Sequence, residues 1–134
     1  GKAPKNKDVR HRDVAPLWIH SGGFGNIQDN EITVSDWHGV VIGSQAQPTL
    51  QANKIHNNRK AGVFMQDGAM PTLIENDIYK NWVGLEVIEH SEPTCRGNFI
   101  HHSRVGGLWV YKEAKGLYEG NEIHSCAKAN VRIL

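Results

Sequence analysis

Apolar residues in this chain come in short clusters with hydrophobic side chains at every second position, such as Leu108-Trp109-Val110, separated by Gly, Asn, Ser and charged residues. Alternation of this kind predicts strands with one buried face, and no stretch offers the three-and-four spacing that a helix would need. The clusters also recur. The tripeptide Asn-x-Ile stands at Asn30, Asn53, Asn76, Asn98 and Asn121, in steps of 23, 23, 22 and 23 residues. A second register runs through Leu17, Val40, Val63, Leu85, Leu108 and Val131, four of them preceded by Gly39, Gly62, Gly84 and Gly107. A third lies three residues before each Asn, at Ile27, Leu50, Leu73, Cys95 and Tyr118, three of which are introduced by Pro-Thr at Pro48, Pro71 and Pro93.

Three registers in phase predict a stack of near-identical coils. A leucine-rich repeat has a similar period, but its Leu-x-Leu framework and helical return are missing. What remains is an all-β, right-handed parallel β-helix of about five to six coils of 22–23 residues, each rising about 4.8 Å. It is expected over residues 9–134, behind a basic lead at 1–8. Four inward columns follow: Leu17 to Val131; Ile19, Ile42, Met65, Val87, Val110 and Ile133; Val9, Ile32, Ile55, Ile78, Ile100 and Ile123; and Ile27 to Tyr118. The recurrent Asn predicts a ladder of stacked amides at a bend, with the Asn itself able to take the left-handed region. The glycine column predicts a turn at positive φ. The proline column predicts a position whose missing N–H the inter-coil ladder does not need.

The wording Pro-Thr-Leu-x-x-Asn-x-Ile-x-x-Asn, then Gly-Val-x-Val, resembles the parallel β-helix repeat of the domain family shared by carbohydrate-binding proteins and sugar hydrolases. Within it, Asn-Lys-Ile-His-Asn-Asn at 53–58 most resembles the β-helix of the F-box-only ubiquitin-ligase receptors. The match covers residues 9–134. It implies a substrate-recognition domain of a ubiquitin-ligase receptor, with any F-box or Skp1-binding segment lying elsewhere in a longer protein.

Composition narrows the partners. The net charge is +1, but residues 1–13 hold five Lys/Arg and two Asp, so the remainder carries 10 basic and 12 acidic residues. A mildly acidic body disfavours nucleic acid, and no apolar run is long enough for a membrane helix. Two cysteines and the lack of a secretory leader point to an intracellular, cytoplasmic or nuclear setting. The first residue is Gly1 and the last register stops in mid-strand, so flanking domains or end-to-end self-stacking are expected.

Function must then lie on the outward columns. The position between the two inward residues of the Gly-Val-x-Val strand holds Trp18, Val41, Phe64, Glu86, Trp109 and Arg132. Trp18, Phe64 and Trp109 fall on alternate coils, about 10 Å apart. With Glu86, Tyr111 and Arg132 they form the candidate binding surface for a peptide or a sugar. A secondary column follows the buried Ile: Thr33, His56, Tyr79, His101 and His124, expected to stack edgewise. No metal site is assigned to it, because a one-dimensional column offers two neighbours where metals need three or four ligands. No cofactor is implied.

Catalysis has weaker support. Glycoside hydrolysis needs two facing carboxylates; Glu86, Glu89 and Glu92 are the strongest acidic grouping, while Lys54 beneath Asp77 predicts an ordinary ion pair. Cys95 and Cys126 belong to different columns, so no disulfide is expected, and Gly22 to Gly25 reads as a turn. The expectation is a non-catalytic binding or scaffolding module with a protein partner. The alternatives are a carbohydrate-binding or carbohydrate-active β-helix (lyase, epimerase or hydrolase) and a structural element of a cytoskeletal or ciliary assembly.

Overall fold

The computed structural model describes residues 17–134; the basic lead at 1–8 and the coil expected to open at Val9 lie outside the described residues. The first coil contributes β1 (Leu17–Ile19), β2 (Phe24–Gln28) and β3 (Glu31–Thr33), and the second β4 (Val40–Ile42), β5 (Gln47–Gln51) and β6 (Lys54–His56). The third holds β7 (Ala61–Met65), β8 (Thr72–Ile74) and β9 (Asp77–Tyr79); the fourth β10 (Val83–Val87), β11 (Thr94–Arg96) and β12 (Phe99–His101). The fifth holds β13 (Gly106–Val110), β14 (Leu117–Glu119) and β15 (Glu122–His124), and β16 (Ala129–Ile133) begins the next turn. Every pairing is parallel and joins equivalent strands of successive coils. The first sheet runs β1-β4-β7-β10-β13-β16, the second β14-β11-β8-β5-β2 and the third β15-β12-β9-β6-β3. The chain is a parallel β-helix of about five coils.

The register is the one the repeat predicts: Leu17 pairs with Val40, Val40 with Val63, Ile55 with Ile78 and Leu50 with Leu73. The inward columns form one continuous core in which Val40, Ile42, Leu50, Ile55, Val63, Met65, Leu73, Ile78, Leu85, Val87 and Cys95 are fully buried. Burial of each such side chain contributes roughly 1.5–3 kcal/mol. A further small-residue column, Ala46, Ala69 and Ser91, is also buried at the corner between the first and second sheets.

Two ladders of side-chain amides hold the other corners. Between the second and third sheets, Asn30, Asn53, Asn76 and Asn98 each donate their backbone N–H and Nδ2 to the Oδ1 of the Asn one coil on. Nδ2 also reaches back to a carbonyl of the previous coil, as from Asn76 to Leu50 at 2.9 Å. A second ladder runs between the third and first sheets. Ser35 N–H donates to Asn58 Oδ1, and Asn58 donates twice to Asn81 Oδ1.

Two backbone expectations change. The ladder Asn residues do not take positive φ; the residue before each one does, at Asp29, Ala52, Glu75, Gly97 and Gly120. The column Gly39, Gly62, Gly84 and Gly107 is likewise absent from the positive-φ residues. Space accounts for it: a Cβ on Gly62 would come within 2.7 Å of the Asn81 amide and 2.9 Å of the Gly84 carbonyl. Gly39 and Gly62 admit the second amide ladder, while at Gly84 and Gly107 the space is taken by Ile100 or Ile123 and the carbonyl of the next coil. The prolines behave as expected, their neighbours supplying the ladder N–H groups, as Met70 does to Ala46 and Thr94 to Pro71.

Candidate functional site

The first sheet presents its outward face as three parallel columns. The central one is Trp18, Val41, Phe64, Glu86, Trp109 and Arg132 in strict register. Each coil's corner before the strand leads into a flanking position, His38, Ala61, Val83, Gly106 and Ala129, four of which pair in register. On the other side Tyr111 follows the strand. Alternation sends the central column and Tyr111 away from the core, yet the central column is not uniformly exposed. Trp18 is 53% accessible, while Val41 is fully buried and Glu86 nearly so, at 6%.

The cover comes from aromatic residues of the third corner that the column pattern did not single out. His38 lies flat on Phe64, ring centroids 4.3 Å apart and planes 3° from parallel, and Trp37 packs on both His38 and Trp18. The Ala61 N–H donates to His38 Nδ1 at 3.0 Å, which places the imidazole proton on Nε2. Burial, with the nearby Lys60 charge adding to it, holds the His38 pKa down at about 4. Trp82 meets Trp109 edge to face at 5.3 Å, Lys60 Nζ lies 5.6 Å above the Trp82 ring, and the Arg132 guanidinium 5.7 Å above Trp109. Their signal was local: Trp37 and Trp82 each stand immediately before the flanking position.

Glu86 stands between Phe64 and Trp109 in strand register, and Tyr111 Oη donates to its carboxylate in a short hydrogen bond. Burial raises the Glu86 pKa, partly offset by the Tyr111 bond and by Lys60 and Lys112. Burial and the same bond push the Tyr111 phenol up. A depression of about 230 Å³ beside them is bordered by Trp109, Tyr111, Arg132 and Leu134. A second, of about 330 Å³, is bordered by Trp18, His20, Gly43, Ser44 and Gln66. All six expected binding residues therefore share one face, in two groups: Trp18 and Phe64 with Trp37 and His38, and Glu86, Trp109, Tyr111 and Arg132 with Trp82. Glu89 stands at the corner after the strand, with φ 54°.

The secondary column is also in register, but its rings stack face to face instead of edgewise. His56 and Tyr79 are 4.6 Å apart at 0°, Tyr79 and His101 5.2 Å at 12°, His101 and His124 5.4 Å at 10°. Face stacking follows from identical rotamers repeated at the coil rise. Carboxylates one coil back brace it, His56 Nε2 meeting Glu31 at 2.6 Å and His101 Nε2 meeting Asp77 at 2.8 Å. Asp77 therefore engages His101, not Lys54 as expected, although Lys54 is its strand neighbour. The Asp77 and Glu31 carboxylates, behind burial as the larger cause, raise the Tyr79 phenol. His101 Nδ1 and His102 Nδ1 lie 2.8 Å apart, but no group of three or more His, Cys, Asp or Glu among the described residues is arranged to hold a metal ion. Cys95 and Cys126 are both free and stand in different columns, Cys95 with its pKa raised by burial to about 12.

The sequence matches the family described as right handed beta helix region over residues 17–133. No curated protein and no solved structure matches the chain.

Proposed function

The chain belongs to the right-handed β-helix family, and from that premise we propose that it is a non-catalytic module that binds a protein partner through the outward face of its first sheet. One observation carries this: two aromatic clusters in register on one sheet face, Trp18 and Phe64 with Trp37 and His38, and Trp109 with Trp82, on a sheet whose rows are held by the core and by two amide ladders. Large rigid rings presented at fixed spacing offer contact area at little conformational cost. The resemblance of Asn53 to Asn58 to F-box-only receptors supplies a setting, the capture of a substrate for ubiquitin transfer. Partners recovered with the purified chain and verified one by one by calorimetry are expected to lose binding on Trp18→Ala and Trp109→Ala.

A second reading has its own observation. Trp18 is half exposed beside His20, Ser44 and Gln66, an aromatic platform with polar groups at its rim that suits a sugar ring. A glycan-array signal that disappears in Glu86→Gln, with no protein partner dependent on Trp18 or Trp109, would replace the protein-binding reading with this one.

A further inference from the structure

Charge is not spread evenly around the solenoid. Beyond residue 13 the chain has 10 basic and 12 acidic residues. Five of the ten, Arg59, Lys60, Lys80, Arg104 and Lys128, stand at the third corner, between the third and first sheets, where the one acidic residue is Asp36. The other two corners together carry six acidic residues and two basic ones. All five third-corner cations are exposed. None of them has a carboxylate partner among the described residues, whose one Lys or Arg ion pair is Arg96 with Glu119. This ridge of positive charge acts on Glu86 through Lys60 and on carbonyl oxygens of its own corner through Arg104, but makes no carboxylate ion pair among the described residues, on a body that is otherwise acidic.

The ridge is also ordered in space. Trp82 N–H bonds to Lys60 O at 2.9 Å, Val105 to Trp82 at 2.9 Å and Lys128 to Val105 at 2.8 Å. Lys60, Trp82, Val105 and Lys128 therefore form one column, reading cation, apolar, apolar, cation. Three coil rises separate the two lysines, about 14 Å, the reach of an extended segment of four or five residues. Trp82 joins this column to Trp109 on the first sheet. The backbone beneath is pinned from coil to coil, so little freedom would be lost on binding.

We propose that this corner docks an extended acidic segment of the protein partner, with carboxylates bracketing apolar side chains that meet Trp82 and Val105. The proposal rests on the protein-binding reading of the adjacent face and gives that partner its chemistry. Charge complementarity selects the occupant. A polyphosphate chain suits the ridge less well, because the cations are interrupted by the apolar Trp82 and Val105, which a phosphate chain has nothing to meet.

The test uses the 134-residue chain and a fluorescein-labelled decapeptide with two Glu on each side of a Leu-Leu pair. A Lys-for-Glu decapeptide, a twenty-nucleotide oligouridylate, heparin and phosphatidylserine vesicles serve as competitors. Anisotropy is expected to show saturable binding of the acidic peptide, weakening roughly tenfold between about 0.02 and 0.2 M salt. The double substitution Lys60→Glu, Lys128→Glu and the pair Arg59→Glu, Lys80→Glu should each weaken it about tenfold or more. Lys112→Glu with Lys115→Glu, an equal charge change elsewhere, should leave it unchanged, with circular dichroism melts confirming the fold of each variant. Equal loss in that control, equal binding of the Lys peptide, or preferential binding of oligouridylate, heparin or vesicles would overturn the proposal. The two readings separate through a verified partner. If it is lost on Trp18→Ala but kept on the ridge reversals, the ridge fails and the aromatic face stands; dependence on the ridge alone sinks the face.

Discussion

Arg104 donates from Nη2 to the carbonyl oxygen of Arg59 at 2.7 Å, across 45 positions of sequence and two coils of the solenoid. The fourth coil's missing residue accounts for the reach. Asn58 to Asn81 is a step of 23 while Lys60 to Trp82 is 22, so the short coil omits the residue that would stand between Asn81 and Trp82. In other coils that residue bonds downward, as Arg59 N–H does to Ser35 O. Here Arg104 replaces it, with Nη2 also 3.2 Å from Asn58 O and Nη1 3.1 Å from Lys80 O.

Arg104→Ala is therefore expected to destabilise the chain by about 1–2 kcal/mol, since several charge-assisted bonds are lost but water can reach the carbonyls. Inserting one Ser after Asn81 in the Ala variant restores the 23-residue step and should recover most of the loss in urea melts. Destabilisation by the insertion in that background would refute this account of the gap.

The second amide ladder stops at Ser103, whose Oγ is buried without a hydrogen-bond partner. Ser103→Asn is expected to extend it, accepting from Asn81 as Asn81 accepts from Asn58. The gain should be about 1 kcal/mol, seen as a higher urea midpoint at unchanged slope. A lower midpoint would mean that the corner has no room for the amide.

Stability should depend on pH through His38. Its folded pKa of about 4 lies below the ordinary histidine value of 6.5, so the unfolded state binds the extra proton between those values. The contribution is complete above pH 6.5 and is lost as pH falls toward 4, about 3 kcal/mol in all. Melts of the native chain and of His38→Gln at pH 7.5 and 4.5 isolate it: the native chain should lose more. Equal losses would mean that His38 is free to protonate in the fold.

Val34 occupies the left-handed region at φ 65° with its side chain 77% exposed. A β-branched residue is strained there and gains little from packing. In the same column Asn57 takes φ 56°. Val34→Asn is expected to stabilise by about 1 kcal/mol, a rise of a few degrees in Tm by calorimetry; an unchanged or lower Tm would place the strain elsewhere.

Because identical side chains pile on one another, the columns that build the core and the Asn ladder were legible from the repeat alone. A repeat reports which positions stack and not how a side chain leaves its column. Phe64 and His38 come from different registers and meet only because His38 has room beside Ala61. The carboxylate of Asp77 turns from its strand neighbour Lys54, one coil back, to His101, one coil on, a choice made by rotamers. Positive φ falls beside the expected Asn column for a similar reason: Asp29, Ala52 and Glu75 carry the bend, and no single residue type marks that column.

The two amide ladders also make the coil a unit of growth. A copy of residues 54–76 placed after Asn76 would offer Asn76 another Asn above it, set Val63 on a second Val63 and leave every interior column unbroken. A chain built this way can change its length by whole coils without redesigning its interior, and each added coil lengthens the aromatic face and the cationic corner together.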